Sequence, residues 1–116
     1  MSKTEKLKLI HPVEIHDVVV EEIVIREPTG RQYLAIGEPR MLARNADGTA
    51  YQVEDQTAIR AYIEGCVVEG KDTPGVTQLL SLTDVRRVKD AVLGFFIDAD
   101  LAIFAASSPA SPSTSG

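Results

Sequence analysis

The chain has 116 residues, of which 44% are hydrophobic and 25% are charged, and its formal net charge is −5 at pH 7. This length suits one domain with a single modest core. The negative charge disfavours binding to duplex nucleic acid or to an anionic membrane, because each requires a concentrated basic face. A single cysteine excludes an intramolecular disulfide and a cysteine-based zinc site.

Hydropathy also bears on location. No apolar stretch approaches the roughly 20 residues that span a bilayer, and the N-terminal segment has no signal-peptide core. The sequence therefore predicts a soluble cytoplasmic protein that has neither a membrane nor a nucleic acid as its partner.

Two β-strands are predicted at the start of the chain. Residues 6–15 alternate apolar and polar side chains, and residues 18–26 are dense in the β-branched residues that favour strands. His16 and Asp17 separate the two segments, which predicts a β-hairpin. Pro12 has no amide hydrogen, so the first strand is expected to be an edge strand or to bend at this residue.

A short helix and a second hairpin are predicted next. Residues 29–36 have a helical pattern, and Gly37 ends it as glycine commonly does. Residues 40–53 indicate a second short hairpin, with turn-forming residues at 45–48. Residues 41–43 would also suit a helix, so that alternative stays open.

Two main amphipathic helices follow. From Glu54 onward, the apolar residues recur on one helical face, which consists of Ile59, Tyr62, Ile63, Cys66 and Val67. After a loop and a short apolar segment, Thr83 is expected to cap the second helix, with Asp84 in its first turn. The expected apolar face of this second helix consists of Val85, Val88, Val92, Phe95, Phe96 and Ala99.

The whole pattern predicts an α+β fold. An N-terminal β-hairpin, with a second short hairpin, precedes a small helical part that contains the two main amphipathic helices. Residues 1–106 form a single domain in this interpretation. Residues 107–116 are rich in serine and proline and lack large apolar side chains, so this tail is expected to be disordered.

The sequence offers weak candidates for chemistry. His11 and His16 are five residues apart, a spacing that sends side chains to opposite faces of a strand. Residues 28–31, PTGR, hold one glycine where phosphate loops use several, and a corner in which Thr29 caps a short helix explains them better. Cys66 falls on an apolar helical face, which indicates a core residue. We therefore expect a non-enzymatic protein without catalytic residues, metal or cofactor.

Several short motifs occur in a definite order between residues 7 and 97. They consist of Leu9, Pro12, Ile23, Ile25, Arg26, Pro28 and Leu34, followed by Leu79, Leu82, Asp84, Val88 and Phe96. This order resembles a family of tail assembly chaperones from long-tailed phages and prophages. In that family a strand and a hairpin lead to an Arg-x-Pro corner and a short helix, and a helix start that contains leucine and aspartate comes near the end. The segment 40–53 departs from the family, which is more often helical or shorter there.

The resemblance implies a protein that binds the tape measure protein in the host cell cytoplasm and keeps it soluble during tail assembly. Such chaperones are typically absent from the mature virion. The family also implies a second partner, the tail tube protein, which is reached through a longer frameshifted form. That form and self-association are left open by the sequence. The alternative is a structural or completion protein that is retained in the tail.

An apolar partner requires apolar side chains that the small core leaves exposed. The candidate partner-binding residues are Tyr33, Met41, Leu101, Ile103 and Phe104. Under the alternative for residues 101–104, they extend the last helix and pack against the protein's own core, because a small domain needs all the burial available.

Overall fold

The computed structural model of the protein describes residues 3–107. Its elements in chain order are β1 (Thr4–Ile15), β2 (Val18–Arg26), α1 (Gly30–Ile36), β3 (Arg40–Arg44), β4 (Ala50–Glu54), α2 (Gln56–Cys66), α3 (Val76–Leu79) and α4 (Leu82–Ser107). β1 and β2 form one two-stranded antiparallel sheet, and β3 and β4 form another. The predicted α+β class, with both hairpins ahead of the two main helices, is confirmed.

The first hairpin contains a tight turn and an irregular middle. His16 and Asp17 have positive φ angles of 49° and 65°, as the central residues of a two-residue hairpin turn require. Strand pairing shifts register between Lys8 and Val13. This irregular segment contains Pro12, where the sequence predicts a bend.

One face of the β1–β2 hairpin packs with α2 and α4 to form the hydrophobic core. The predicted apolar face of α2 is buried in full. Aliphatic side chains dominate the core. Its buried residues are Leu7, Leu9, Val13, Ile15, Val20, Ile23, Ile25, Ala58, Ile59, Tyr62, Ile63, Cys66, Val67, Val76, Val88, Val92 and Phe95.

The corner before α1 is a capping box. Thr29 Oγ1 accepts a hydrogen bond from the amide of Gln32 at 3.0 Å, and Gln32 Oε1 accepts one from the amide of Thr29 at 2.8 Å. Gly37, with a φ of 93°, ends the helix. The sequence PTGR thus forms a strand-to-helix corner with Thr29 as its cap.

Asp84 fastens the start of α4 to β1. Its side chain is fully buried, and its carboxylate oxygens accept hydrogen bonds from the amides of Ile10 at 3.0 Å and His11 at 2.9 Å. Arg87 donates to the same carboxylate at 2.8 Å and to the carbonyl oxygen of Lys8 at 2.7 Å. Side chains of α4 therefore supply hydrogen-bond partners for backbone amide and carbonyl groups in the irregular middle of β1. Without them, these groups would need a neighbouring strand as their partner.

Both ends of α4 differ from the prediction. The helix begins at Leu82, and Ser81 Oγ accepts a hydrogen bond from the amide of Asp84 at 3.1 Å, so Ser81 takes the capping role expected of Thr83. The two hydroxyl residues lie two positions apart, and local sequence does not distinguish them. At the other end α4 includes Ser107, which the sequence assigns to the disordered tail; the rest of that tail lies outside the described residues. Ala99 is exposed because the core ends before it.

Candidate partner-binding surface

The last turns of α4 extend beyond the core. Phe95 is the last buried residue of the helix, and residues 97–107 are exposed along their whole length. This segment rises about 16 Å. The radius of gyration is 17.8 Å, compared with about 13 Å for a compact chain of this length. α4 thus presents a stretch of helix that the rest of the described chain leaves uncovered.

Three apolar side chains form a stripe on this stretch. Ile97, Leu101 and Phe104 are spaced four and three residues apart, so they lie on one face of the helix. Their exposed fractions are 46%, 61% and 73%. Single exposed apolar residues are ordinary, whereas large contiguous apolar patches are typical of contact surfaces. We call these three residues the apolar ridge.

A groove lies beside the ridge, between α1, the start of β3 and α4. Its volume is about 370 Å³, which is at the lower end of the range for small-molecule pockets. The apolar part of its lining consists of Pro28, Tyr33, Pro39, Leu93, Phe96, Ala99 and Ile103. Its charged residues, Glu38, Arg40 and Asp100, are of both signs. We call it the α1–α4 groove.

Aromatic contacts connect this groove to the core. The ring of Phe96 lies 5.0 Å from that of Tyr62 in an edge-to-face arrangement and 6.3 Å from that of Tyr33. The hydroxyl of Tyr62 donates a hydrogen bond to the carbonyl oxygen of Gly37 at 2.7 Å. Tyr33 donates one to Glu38, and this hydrogen bond, followed by the charge of the carboxylate, raises the pKa of Tyr33. The groove wall is therefore held in place by the core behind it.

The β3–β4 hairpin carries a second uncovered apolar surface. None of its ten residues is buried. Met41 pairs with Val53 and Ala43 pairs with Tyr51, so these four side chains point to one side of the sheet. Met41, Tyr51 and Val53 are 55%, 46% and 40% exposed. We call these four residues the hairpin face.

The five predicted contact residues are all exposed, but they lie in three places. Tyr33 and Ile103 line the α1–α4 groove, Leu101 and Phe104 belong to the apolar ridge, and Met41 lies on the hairpin face. The alternative in which the end of α4 packs against the protein's own core is wrong. Leu101, Ile103 and Phe104 are 61%, 64% and 73% exposed.

Sequence reasoning missed other members of these surfaces. Ile97 lies four residues before Leu101 and seven before Phe104, so helical spacing alone could have identified it. Tyr51 and Val53 join Met41 only through the strand register, which the sequence does not specify. The sequence places Phe96 on the apolar face of α4, and in the structure it is half-buried with one side towards the groove.

Of the candidates for chemistry, Pro28, Thr29 and Gly30 line the α1–α4 groove, whereas His11, His16 and Cys66 lie outside it. His11 and His16 are both exposed. Cys66 is 1% exposed, and burial raises the pKa of its thiol to about 11. Within residues 3–107, no group of three or more His, Cys, Asp or Glu side chains is arranged to hold a metal ion.

Within the described part of the chain, no helix combines the length and the apolar character that a bilayer crossing requires. Comparisons with protein-family models, with curated proteins and with solved structures found no match to this chain.

Proposed function

We propose that this protein is a non-enzymatic tail assembly chaperone of a long-tailed phage or prophage. It binds the tape measure protein through the apolar ridge and the α1–α4 groove. The proposal is carried by the apolar end of α4, where Ile97, Leu101 and Phe104 are exposed beside the groove that contains Tyr33 and Ile103. The order of sequence motifs supports the same assignment.

The ridge fits an apolar helix. A partner helix with apolar residues three and four positions apart presents a stripe like that of the ridge, and two such stripes pack together as helices commonly do. The groove beside the ridge receives a bulky apolar side chain of the partner between Tyr33, Phe96 and Ile103. A long tape measure protein offers many apolar stripes of this kind, so several copies of the chaperone cover one partner.

The charge of the chain suits this role. The formal net charge of −5 per copy keeps a complex of many copies soluble by mutual repulsion. Asp98 and Asp100 are exposed next to the ridge. They favour a partner helix whose apolar stripe is flanked by basic side chains. The same proposal places the protein in the host cell cytoplasm and outside the mature virion.

Co-expression with the tape measure protein encoded beside it tests the proposal. The soluble fraction of the tape measure protein is measured alone, with the wild-type chain, and with the ridge variant Leu101→Ser/Phe104→Ser. The matched control is Ile10→Ser/Val19→Ser, which removes two apolar side chains that are 56% and 57% exposed on the first hairpin. We expect the wild type and the control to keep the partner soluble and to co-purify with it, and the ridge variant to lose most of this effect.

Two results would count against the proposal. In the first, a folded wild-type chain leaves the tape measure protein in the pellet. In the second, the ridge variant and the control protect the partner equally, which removes the ridge from the binding surface. Detection of the chain in purified virions in a fixed copy number would favour a structural or completion protein instead.

A further inference from the structure

The hydrogen-bond pattern of the β3–β4 hairpin shows which backbone groups face outward. At one end the backbone amide of Asn45 donates a hydrogen bond to the carbonyl oxygen of Thr49. At the other end the amide of Asp55 donates to the carbonyl oxygen of Pro39, and each distance is 2.9 Å. Bonded and non-bonded pairs alternate in an antiparallel ladder, and both of these end pairs are bonded. The non-bonded pairs between them are Arg40 with Glu54, Leu42 with Gln52, and Arg44 with Ala50.

The outer edge of β4 is therefore open. The amide and carbonyl groups of Ala50, Gln52 and Glu54 point away from β3, and within residues 3–107 no other element forms a backbone hydrogen bond with them. The first hairpin differs, because Asp84 and Arg87 cover part of the outer edge of β1. An open edge is a template for another strand.

We infer that a second copy of this chain pairs with that edge, β4 against β4, in an antiparallel arrangement about a two-fold axis at Gln52. In this register Gln52 faces Gln52 of the second copy, and Ala50 faces Glu54 of the second copy. The outward backbone groups of the two strands then meet each other in register. The product is a four-stranded sheet in the order β3, β4, β4, β3.

Charge selects β4 rather than β3 for this pairing. The equivalent arrangement on β3 would place Arg40 opposite Arg44 of the second copy at both ends, and like charges directly opposite each other destabilise a sheet. Pairing through β4 brings no like charges opposite each other. The carboxylate of Glu54 already forms a salt bridge with Lys89, whose Nζ lies 3.1 Å from Glu54 Oε1. The arginines remain on the two outer edges of the new sheet, where charge discourages further strands. The assembly therefore closes as a dimer.

The side chains favour the same register. Tyr51 and Val53 flank Gln52 on the hairpin face, so Tyr51 of one copy lies beside Val53 of the other and the two hairpin faces become one continuous apolar surface. A two-stranded hairpin with no buried side chain is only marginally stable, and a four-stranded sheet is more stable. The inference does not depend on the tape measure protein as the partner.

Charge exchange at the axis tests the dimer. Gln52→Glu and Gln52→Lys each place two like charges opposite each other, and we expect each variant alone to dimerise about fivefold more weakly or worse. Mixed together they place opposite charges at the axis, so the mixture should associate again. Sedimentation equilibrium over a concentration series gives the masses. For the wild type, the mass should rise from that of the 12.6 kDa chain to twice that value and then stay constant.

The controls are Leu42→Glu and Leu42→Lys, which make the same changes on the outer edge of β3 and should leave dimerisation intact. Gln52→Pro is a second test, because it removes an outward amide without removing a hydrogen bond of the hairpin itself. Circular dichroism confirms that each variant folds. The inference is overturned if the wild type stays monomeric at concentrations on the order of 1 mM. A mass that grows past the dimer without limit, a mixture that fails to associate, or sensitivity to Leu42 instead of Gln52 would also overturn it.

Discussion

At the scale of single residues, Asp84 joins two elements that are more than seventy positions apart in the chain. The amides of Ile10 and His11 lie in the irregular middle of β1, and the Asp84 carboxylate accepts hydrogen bonds from both. Burial acts to raise the pKa of Asp84, but the bonds from these amides, from Arg87 and from Ser81 outweigh burial and lower it. The folded state therefore favours the ionised carboxylate.

Replacing Asp84 should be costly and pH-dependent. Asp84→Asn leaves two amides and Arg87 without their charged partner, which should lower the free energy of unfolding at pH 7 by roughly 3 kcal/mol. Because the folded-state pKa is lowered, the ionised carboxylate contributes stability above the unfolded-state pKa, and that contribution is lost as pH falls through the folded-state pKa. Urea unfolding should therefore show a difference between wild type and variant that shrinks as the pH is lowered below 3.8, the ordinary pKa of the group.

The control for this experiment is Asp98→Asn, since Asp98 is an exposed acid on the same helix. It should change the unfolding free energy by less than about 0.5 kcal/mol. Equal stability of wild type and Asp84→Asn at pH 7 would contradict the role given to this carboxylate.

Cys66 should be inert while the protein is folded. The thiol is 1% exposed, and burial raises its pKa to about 11, so little thiolate exists at pH 8. Reaction with a thiol reagent at that pH should be roughly a hundredfold slower or more than in the urea-unfolded chain, where the pKa is near 8.5. Rapid labelling of the native protein would show that the thiol is accessible and would remove it from the core.

At the scale of elements, α4 consists of two parts with different roles. Up to Phe95 its buried side chains pack in the core, and from Ile97 onward every residue is exposed, with one side of the helix towards the α1–α4 groove. A helix of this exposed length is marginal in isolation, so it is held mainly because it continues a packed helix. Its end should therefore open more readily than the rest, as partner-binding segments commonly do.

Two phenylalanine substitutions distinguish these parts. Phe95 is 6% exposed and Phe104 is 73% exposed, so the same change to alanine has different consequences. Phe95→Ala should lower the free energy of unfolding by about 3–4 kcal/mol, whereas Phe104→Ala should change it by less than about 0.5 kcal/mol. Urea unfolding followed by circular dichroism measures both. If Phe104→Ala were as destabilising as Phe95→Ala, the end of α4 would be packed in solution and unable to serve as an open contact surface.

At the scale of the whole molecule, the predictable features are those that local pattern determines. The spacing of Ile59 and Tyr62 identifies the buried face of α2, and His16 with Asp17 identifies the first turn, because each depends on neighbouring residues only. The environment of Leu101 and Phe104 could not be predicted in this way. Their helical spacing is the same as that of buried residues, and they are exposed because α4 extends past the core.

Other features depend on contacts between distant segments. The sequence places Asp84 in the first turn of a helix, but its hydrogen bonds to β1 require the tertiary arrangement of both elements. The hairpin face likewise requires the register that brings Tyr51 and Val53 beside Met41. Residues 40–53, where the sequence departs from the family that it resembles, belong to a complete hairpin in the structure. This hairpin carries the strand edge proposed for self-association.

Hydrogen exchange of the chain, alone and bound to the tape measure protein, tests most directly the proposal that the end of α4 and the adjoining groove form the partner-binding surface. We expect exchange to slow in residues 97–107 and 29–40 on binding, and to stay unchanged in the β1–β2 hairpin. Protection confined to that hairpin, or an unchanged exchange rate at the end of α4 in a saturated complex, would contradict the proposed surface.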